Sequence, residues 1–174
     1  METYQALHRE IPSDYDTLDA MHEMYSWVPS AASVRPSADG LLKKNSNIIT
    51  ILEQYVSLAD YIMDTVFHLP IETDPFTGKL MSFVATNTQS SQSKTCVFAP
   101  NEYPYGMEKG HHYIMWYPPG KDPSSREAIN SDISNALAQL CDEKKFDFCW
   151  YENPKMTIPE IFHVQVFWVY LDDL

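Results

Sequence analysis

The chain has 174 residues, enough for one ordinary domain that buries roughly two-thirds of the surface its unfolded form exposes. Apolar residues make up 44% of the chain and charged residues 21%, which is typical of globular proteins and excludes wholesale disorder. The formal net charge of -12 comes from 12 Lys and Arg against 24 Asp and Glu. Because a field of this sign repels nucleic acid and anionic lipid, we expect neither as a partner.

The start of the chain lacks a basic region and a long apolar run, and no stretch is apolar enough to span a membrane. The three cysteines are odd in number and form no C-x-x-C pair, which argues against a disulfide framework and against a zinc site built from cysteine. We therefore expect a cytoplasmic protein, with the nucleus as the alternative, and no cofactor.

Residues 1–40 are the part of the chain least able to fold on its own. A short amphipathic segment around Leu18 and Met21 is followed by a Ser-, Pro- and Ala-rich stretch over residues 27–40, which predicts an extended N-terminal strap. Tyr25 and Trp27 either anchor this strap to the domain or bind a protein partner. Residues 41–174 are predicted to form a single α+β domain.

The first half of that domain is predicted to be mainly helical. Apolar residues recur every three or four positions over residues 45–68, which predicts one long helix that ends before Pro70. Residues 74–78 have the composition of a turn, and a short strand is predicted over 80–85. The polar run 86–93 is predicted to be a loop.

The second half alternates strands with one helix. Strands are predicted over 95–99, 111–117, 146–151 and 162–171, the last apolar at nearly every position and so central in a sheet. Ser124 and Glu127 are typical of a capping box and predict a helix to about Lys144. The strands therefore surround this helix in the order β, β, α, β, β.

Several segments occur in the order of a known family. They are Asn101-Glu-Tyr-Pro-Tyr-Gly106, Gly110-His-His-Tyr-Ile-Met-Trp116, Trp150-Tyr-Glu-Asn153 and Phe162-His-Val-Gln165. Over roughly residues 45–170 the chain resembles the fungal DUF3605, or N-acetylglucosamine-induced protein, family. The name of that family implies a link to the amino-sugar response and states no reaction.

A second and more distant resemblance implies a chemistry. The segment with Asn101 and Pro104, followed by Gly110-His111, is similar to the corresponding part of the histidine-triad (HIT) nucleotide hydrolases and transferases. Their later strand carries His-φ-His-φ-His, or Gln as the third polar member, where this chain has Ile161, His163 and Gln165. The resemblance implies a HIT-like antiparallel sheet packed against two main helices, and a ligand with a phosphate group.

Residues at i, i+2 and i+4 of a strand point to one face, so their side chains can converge on one phosphate. His163 is placed to attack phosphorus and Gln165 to stabilise the phosphoryl oxygens. Ile161 stands where the first triad histidine belongs, which leaves either weak catalysis or a fold that has lost the reaction. The alternative for His163 is a buried histidine that bonds a backbone carbonyl.

The other candidate ligand contacts surround this strand. They are Asn101, Pro104, Tyr105, His111, His112, Trp116 and Arg126. Neighbouring residues of a strand point to opposite faces, so only one of His111 and His112 faces His163. That histidine, His163 and Glu108 are an alternative metal site, although no metal is our main expectation. Trp116 belongs either to the core or to an aromatic wall, and Arg126 either holds an anion at a helix start or is a surface arginine.

Two functional hypotheses follow. In the first, a HIT-like domain binds a nucleotide or nucleotide sugar and hydrolyses or transfers at its phosphate through His163. In the second, a non-catalytic protein has kept the fold and binds a partner, either in the same cleft or through the N-terminal strap.

Overall fold

The computed structural model describes residues 17–32, 38–83, 95–142, 144–153 and 156–174. Four α-helices lie in this part of the chain: α1 (Thr17–Met24), α2 (Ala38–Gln54), α3 (Leu58–Thr65) and α4 (Arg126–Leu140). Six strands accompany them: β1 (Ile71–Thr73), β2 (Leu80–Ser82), β3 (Val97–Pro100), β4 (His111–Trp116), β5 (Phe146–Tyr151) and β6 (His163–Tyr170). The strands form two antiparallel sheets that accompany four helices, so the α+β prediction is confirmed.

The main sheet has four antiparallel strands in the order β3-β4-β6-β5. Strand β6 lies between β4 and β5 and is buried at every position before Tyr170, which confirms the prediction of a central strand. Its register places His163 opposite Trp116 and Gln165 opposite Ile114. Because opposite residues of an antiparallel pair share a face, these four side chains point to the same side of the sheet.

One face of the sheet is covered by α4. Ile129, Ile133 and Leu137 recur at helical spacing and pack in one apolar cluster with alternate residues of β4, β5 and β6. The helix begins at the N-cap Ser125, whose Oγ accepts a hydrogen bond from the Ala128 N–H. The capping box predicted one residue earlier is therefore wrong in register.

The other face of the sheet is covered at its two ends by different elements. Helix α1 and the segment after it pack against Cys149, Tyr151, Phe167 and Val169. Helix α3 packs against Trp116 and Ile161 at the opposite end. The middle of this face, where His163 and Gln165 lie, is left between the two apolar clusters.

The single helix predicted over residues 45–68 is wrong: the chain has α2 and α3 with a break at residues 55–57. The Val56 N–H donates to the Leu80 carbonyl at 2.9 Å, so β2 takes a hydrogen bond that a continuous helix would make internally. Ser57 is the N-cap of α3, and its side-chain oxygen accepts a hydrogen bond from the Asp60 N–H. Because of this break, α2 and α3 are two separate helices that lie beside the sheet.

The turn predicted over residues 74–78 joins β1 to β2 as a hairpin. The Asp74 carboxylate accepts from the Phe76 and Thr77 N–H groups, which fixes the turn. Strand β1 was not predicted, and the loop predicted over residues 86–93 lies outside the described residues. The strand predicted over 80–85 is observed as Leu80–Ser82.

The described part of the N-terminal strap is docked on the domain. Tyr25 and Trp27 are buried in the cluster that α1 makes with β5 and β6, so the anchoring alternative is supported for residues 17–32. Residues 1–16 and 33–37 of the predicted strap lie outside the described residues. In the part of the chain that the structure covers, no helix has the length and apolar character needed to cross a membrane.

Candidate functional site

A cavity of about 270 Å³ lies on the open middle of the sheet, between β4 and β6 on one side and α2 and α3 on the other. The segment that follows β3 closes its rim. The polar side chains that line it are Lys44, Tyr61, Thr65, Asn101, Glu102, Tyr103, Tyr105, Asn153, Thr157, His163 and Gln165. The rest of the lining is mostly apolar, including Ile62, Ile114 and Trp116. This composition is typical of small-molecule sites.

His163 lies at the floor of the cavity with 6% of its surface exposed. Its Nδ1 is 2.8 Å from the Ile161 carbonyl oxygen, which accepts only, so Nδ1 carries the proton in the neutral ring. Burial lowers the pKa of His163, although the hydrogen bond to Ile161 opposes this shift. The ring is therefore neutral at pH 7, and Nε2 is left with a free lone pair.

The Nε2 atom of His163 has access to the cavity. Trp168 Nε1 is the one side-chain nitrogen or oxygen among the described residues that is fully buried without a hydrogen bond. His163 Nε2 has no hydrogen-bond partner in this part of the chain and is not one of these fully buried atoms, so part of its surface is exposed in the cavity lining. The ring is held in place by Trp116, whose centroid lies 4.5 Å away at an angle of 33°. The geometry combines a fixed imidazole with an open nucleophilic nitrogen.

A hydrogen-bond network on the same face connects Gln165 to the segment after β3. Gln165 Oε1 lies 2.7 Å from His112 Nε2 and 3.1 Å from Asn101 Nδ2. The Tyr105 N–H donates to His112 Nδ1 at 3.0 Å, and the Tyr103 N–H donates to Asn101 Oδ1 at 2.8 Å. Burial lowers the pKa of His112 to about 4, so the network is built around a neutral histidine.

The structure brings five predicted residues together at this cavity. His163, Gln165, Asn101, Tyr105 and Trp116 all line it. His112 contacts Gln165 and Asn101 from outside the cavity lining, and its ring packs at a tilt against both Tyr105 and Phe167. The alternation of β6 and β4 that predicted this convergence is observed.

Three predicted ligand contacts are not brought to the cavity. His111 is exposed and stacks on Trp168, on the α4 side of the sheet. The Arg126 guanidinium lies 4.4 Å above the Trp150 ring on that same side, so an anion in the cavity is out of its reach. Pro104 is exposed and does not line the cavity.

The mixed metal site is not formed. No group of three His, Cys, Asp or Glu side chains among the described residues is close enough to hold a metal ion. His111 and His163 are on opposite faces of the sheet, which follows from the alternation of β4 and the β4–β6 register.

Several cavity residues were not predicted. Lys44 on α2 and Glu102 on the rim are the charged side chains among the lining residues that the structure describes, and Tyr61 on α3 contributes a hydroxyl. Burial, followed by the nearby Glu102 carboxylate, raises the pKa of Tyr61. Tyr61 lies within the helix predicted over residues 45–68 and Lys44 just before it, and no local motif indicates that either residue faces His163.

Ile161, the departure from the histidine-triad pattern, is fully buried between Trp116 and α3. Its side chain contributes to the apolar cluster at the end of the cavity, while its carbonyl orients His163.

No protein-family model, curated protein or solved structure matches this chain.

Proposed function

We propose that this chain binds a nucleotide or nucleotide sugar in the cavity and that His163 contacts its phosphate. The observation that carries the proposal is the state of His163: Nδ1–H is bonded to the Ile161 carbonyl, and the unprotonated Nε2 is open to the cavity. Trp116 and Tyr103 supply aromatic surface for a base or sugar ring, and Lys44 supplies a positive charge.

The same geometry supports a nucleotidyl-transfer step. The Nε2 lone pair of His163 forms a bond to the α-phosphorus, and the bond from phosphorus to the leaving oxygen breaks with its electron pair on that oxygen, which takes a proton from water. A second water then attacks phosphorus and gives a proton to the hydroxide left by the first, the N–P bond breaks, and Nε2 recovers its lone pair. Gln165 and Lys44 are the groups that stabilise the phosphoryl oxygens.

A second candidate function is binding without turnover. The specific observation that favours it is Ile161, which fills the first triad position with a buried apolar side chain. A transition state with extra negative charge then lacks one donor, while the bound ground state keeps its contacts. The two candidates share the ligand class and differ in chemistry.

Family membership and location belong to the same proposal. The ordered segments from Asn101 to Gln165 support a relationship to the N-acetylglucosamine-induced proteins, and phosphorylated amino sugars are therefore natural probes beside nucleotides. The free thiols of Cys96, Cys141 and Cys149 fit a reducing compartment such as the cytoplasm.

The first experiment measures thermal stability with adenosine monophosphate, UDP-N-acetylglucosamine and N-acetylglucosamine 6-phosphate, for the wild type, His163→Ala and His111→Ala. A ligand at a hundred times its Kd adds about 2.7 kcal/mol, or roughly 5 to 11 °C in Tm for a chain of this size. We expect this shift in the wild type and in His111→Ala, which removes a histidine from the opposite side of the sheet, and its loss in His163→Ala. Equal shifts in all three proteins, or none in any, contradict the proposal.

Turnover separates the two candidates. Release of product from the ligand that binds, absent in His163→Ala, supports transfer through His163. Ile161→His restores the triad pattern and is expected to raise a measurable rate, whereas binding with no turnover in either protein favours the binding function.

A further inference from the structure

Gln165 has one fixed amide orientation, because two main-chain donors determine it from separate directions. The Tyr103 N–H donates to Asn101, and only the amide oxygen Oδ1 accepts, so Nδ2 is the atom that faces Gln165. The Tyr105 N–H donates to His112 Nδ1, which must be unprotonated, so the neutral ring carries its proton on Nε2. Both neighbours of Gln165 are therefore donors, and both require its oxygen.

The Gln165 amide nitrogen is consequently the atom left for the cavity. Oε1 accepts from His112 and Asn101, while no described residue accepts from Nε2. Gln165 lines the cavity, and its Nε2 is not a fully buried atom without a partner. An amide turned the other way would place its NH₂ against two donors, which is the costly arrangement for a buried group.

We infer that His112 is a positioning residue: it fixes Gln165 as an N–H donor that binds an oxygen atom of the ligand beside His163 Nε2. The inference rests on the proposed function for the identity of the ligand, but the orientation of Gln165 exists without one. This orientation also limits the chemical class of the ligand. The part of the ligand that faces β6 must carry an acceptor oxygen for Gln165 next to an electrophilic or donor atom for His163.

His112 contributes this orientation from outside the cavity lining. Its ring packs at a tilt against Tyr105 and Phe167, with centroids 4.6 Å away in each case, so Phe is the aromatic replacement without nitrogen that can make the same ring contacts. His112→Phe removes both hydrogen bonds and retains an aromatic ring at this position. His112→Gln keeps one amide N–H for Gln165 and one acceptor for the Tyr105 N–H, and is the matched conservative variant.

The test uses the full chain labelled with ¹⁵N. Long-range ¹H–¹⁵N correlation reads the tautomer of His112 directly, and the Gln165 side-chain NH₂ signals report its exchange with water. We expect an Nε2–H tautomer of His112 in the wild type. We also expect water-accessible Gln165 NH₂ protons in the wild type, altered Gln165 NH₂ signals in His112→Phe, and signals like those of the wild type in His112→Gln. An Nδ1–H tautomer, or Gln165 signals that are the same in His112→Phe, overturns the inference.

Binding of adenosine monophosphate is then titrated in the same proteins. We expect a loss of roughly tenfold or more in affinity for His112→Phe, recovery in His112→Gln, and no further loss when His112→Phe is added to Gln165→Ala, because the two act as a unit. An additive loss in the double variant overturns the inference. If adenosine monophosphate moves no cavity signal in the wild type, the nucleotide proposal fails, and the tautomer and NH₂ signals still decide the role of His112.

Discussion

The buried His112 should make folding stability depend on pH in a way that one substitution removes. Burial lowers the pKa of His112 from 6.5 to about 4, with the Gln165 hydrogen bond as a smaller opposing effect. The unfolded chain therefore binds a proton at residue 112 below pH 6.5, whereas the folded chain resists it until about pH 4. The stability from neutral His112 is fully present above pH 6.5 and is lost as the pH falls toward 4.

The size of the effect follows from the two pKa values. At 1.36 kcal/mol per unit, a separation of roughly 2.5 units corresponds to a total of about 3 kcal/mol, of which about 2.5 kcal/mol is lost between pH 7.5 and pH 4.5. His112 has 5% of its surface exposed, so solvent screening reduces this little. His163, whose pKa is also lowered by burial, adds a slope of the same sign.

The assay is urea unfolding of the wild type, His112→Phe and His112→Gln at half-unit steps from pH 7.5 to pH 4.5. Contributions of His163 and of the carboxylates are common to all three proteins and cancel in the differences. We expect the stability advantage of the wild type over each variant to shrink by about 2.5 kcal/mol over this range. A difference that stays constant with pH refutes a neutral buried His112. A change in only one variant refutes titration as its cause.

Two further predictions concern the elements that frame the cavity. Ser57→Ala removes the N-cap of α3 and should cost about 1 kcal/mol in the free energy of unfolding, with Ser125→Ala at the N-cap of α4 as the matched comparison; no loss in urea unfolding contradicts the capping role. Met21 is fully buried and Met24 is 38% exposed on the same helix, so Met21→Ala should cost about 2 to 5 kcal/mol and Met24→Ala much less. Equal costs contradict the docking of α1.

The sequence predicted the sheet better than it predicted the helix before it. Strands β4, β5 and β6 carry dense apolar and aromatic runs, and local propensity agrees with the final structure. The break between α2 and α3 was missed because apolar spacing continues across it. The hydrogen bond at the break, from the Val56 N–H to the Leu80 carbonyl, is a tertiary contact that local sequence does not indicate. The Ser57-x-x-Asp60 pattern was the local signal available.

The same distinction applies to the cavity. His163 and Gln165 were predicted on one face because strand alternation is a local rule, Asn101 was predicted from the histidine-triad resemblance, and the structure places all three on one cavity. Lys44 and Tyr61 were missed because their position depends on how α2 and α3 dock. Arg126 was expected near the anion because it starts a capped helix, but that helix covers the opposite face of the sheet.

The polar groups on this face argue for a ligand rather than for stability alone. Burying polar side chains costs free energy unless each is hydrogen-bonded, and apolar replacements of similar shape are often as stable. His112 and Asn101 have their hydrogen bonds within the network, whereas His163 Nε2 and Gln165 Nε2 are left as an acceptor and a donor facing one cavity. The described lining residues supply one cation, Lys44, against Glu102, in a chain of net charge -12. This balance disfavours a highly charged ligand such as a nucleoside triphosphate, because each added negative charge meets repulsion that no second cation among the described lining residues offsets.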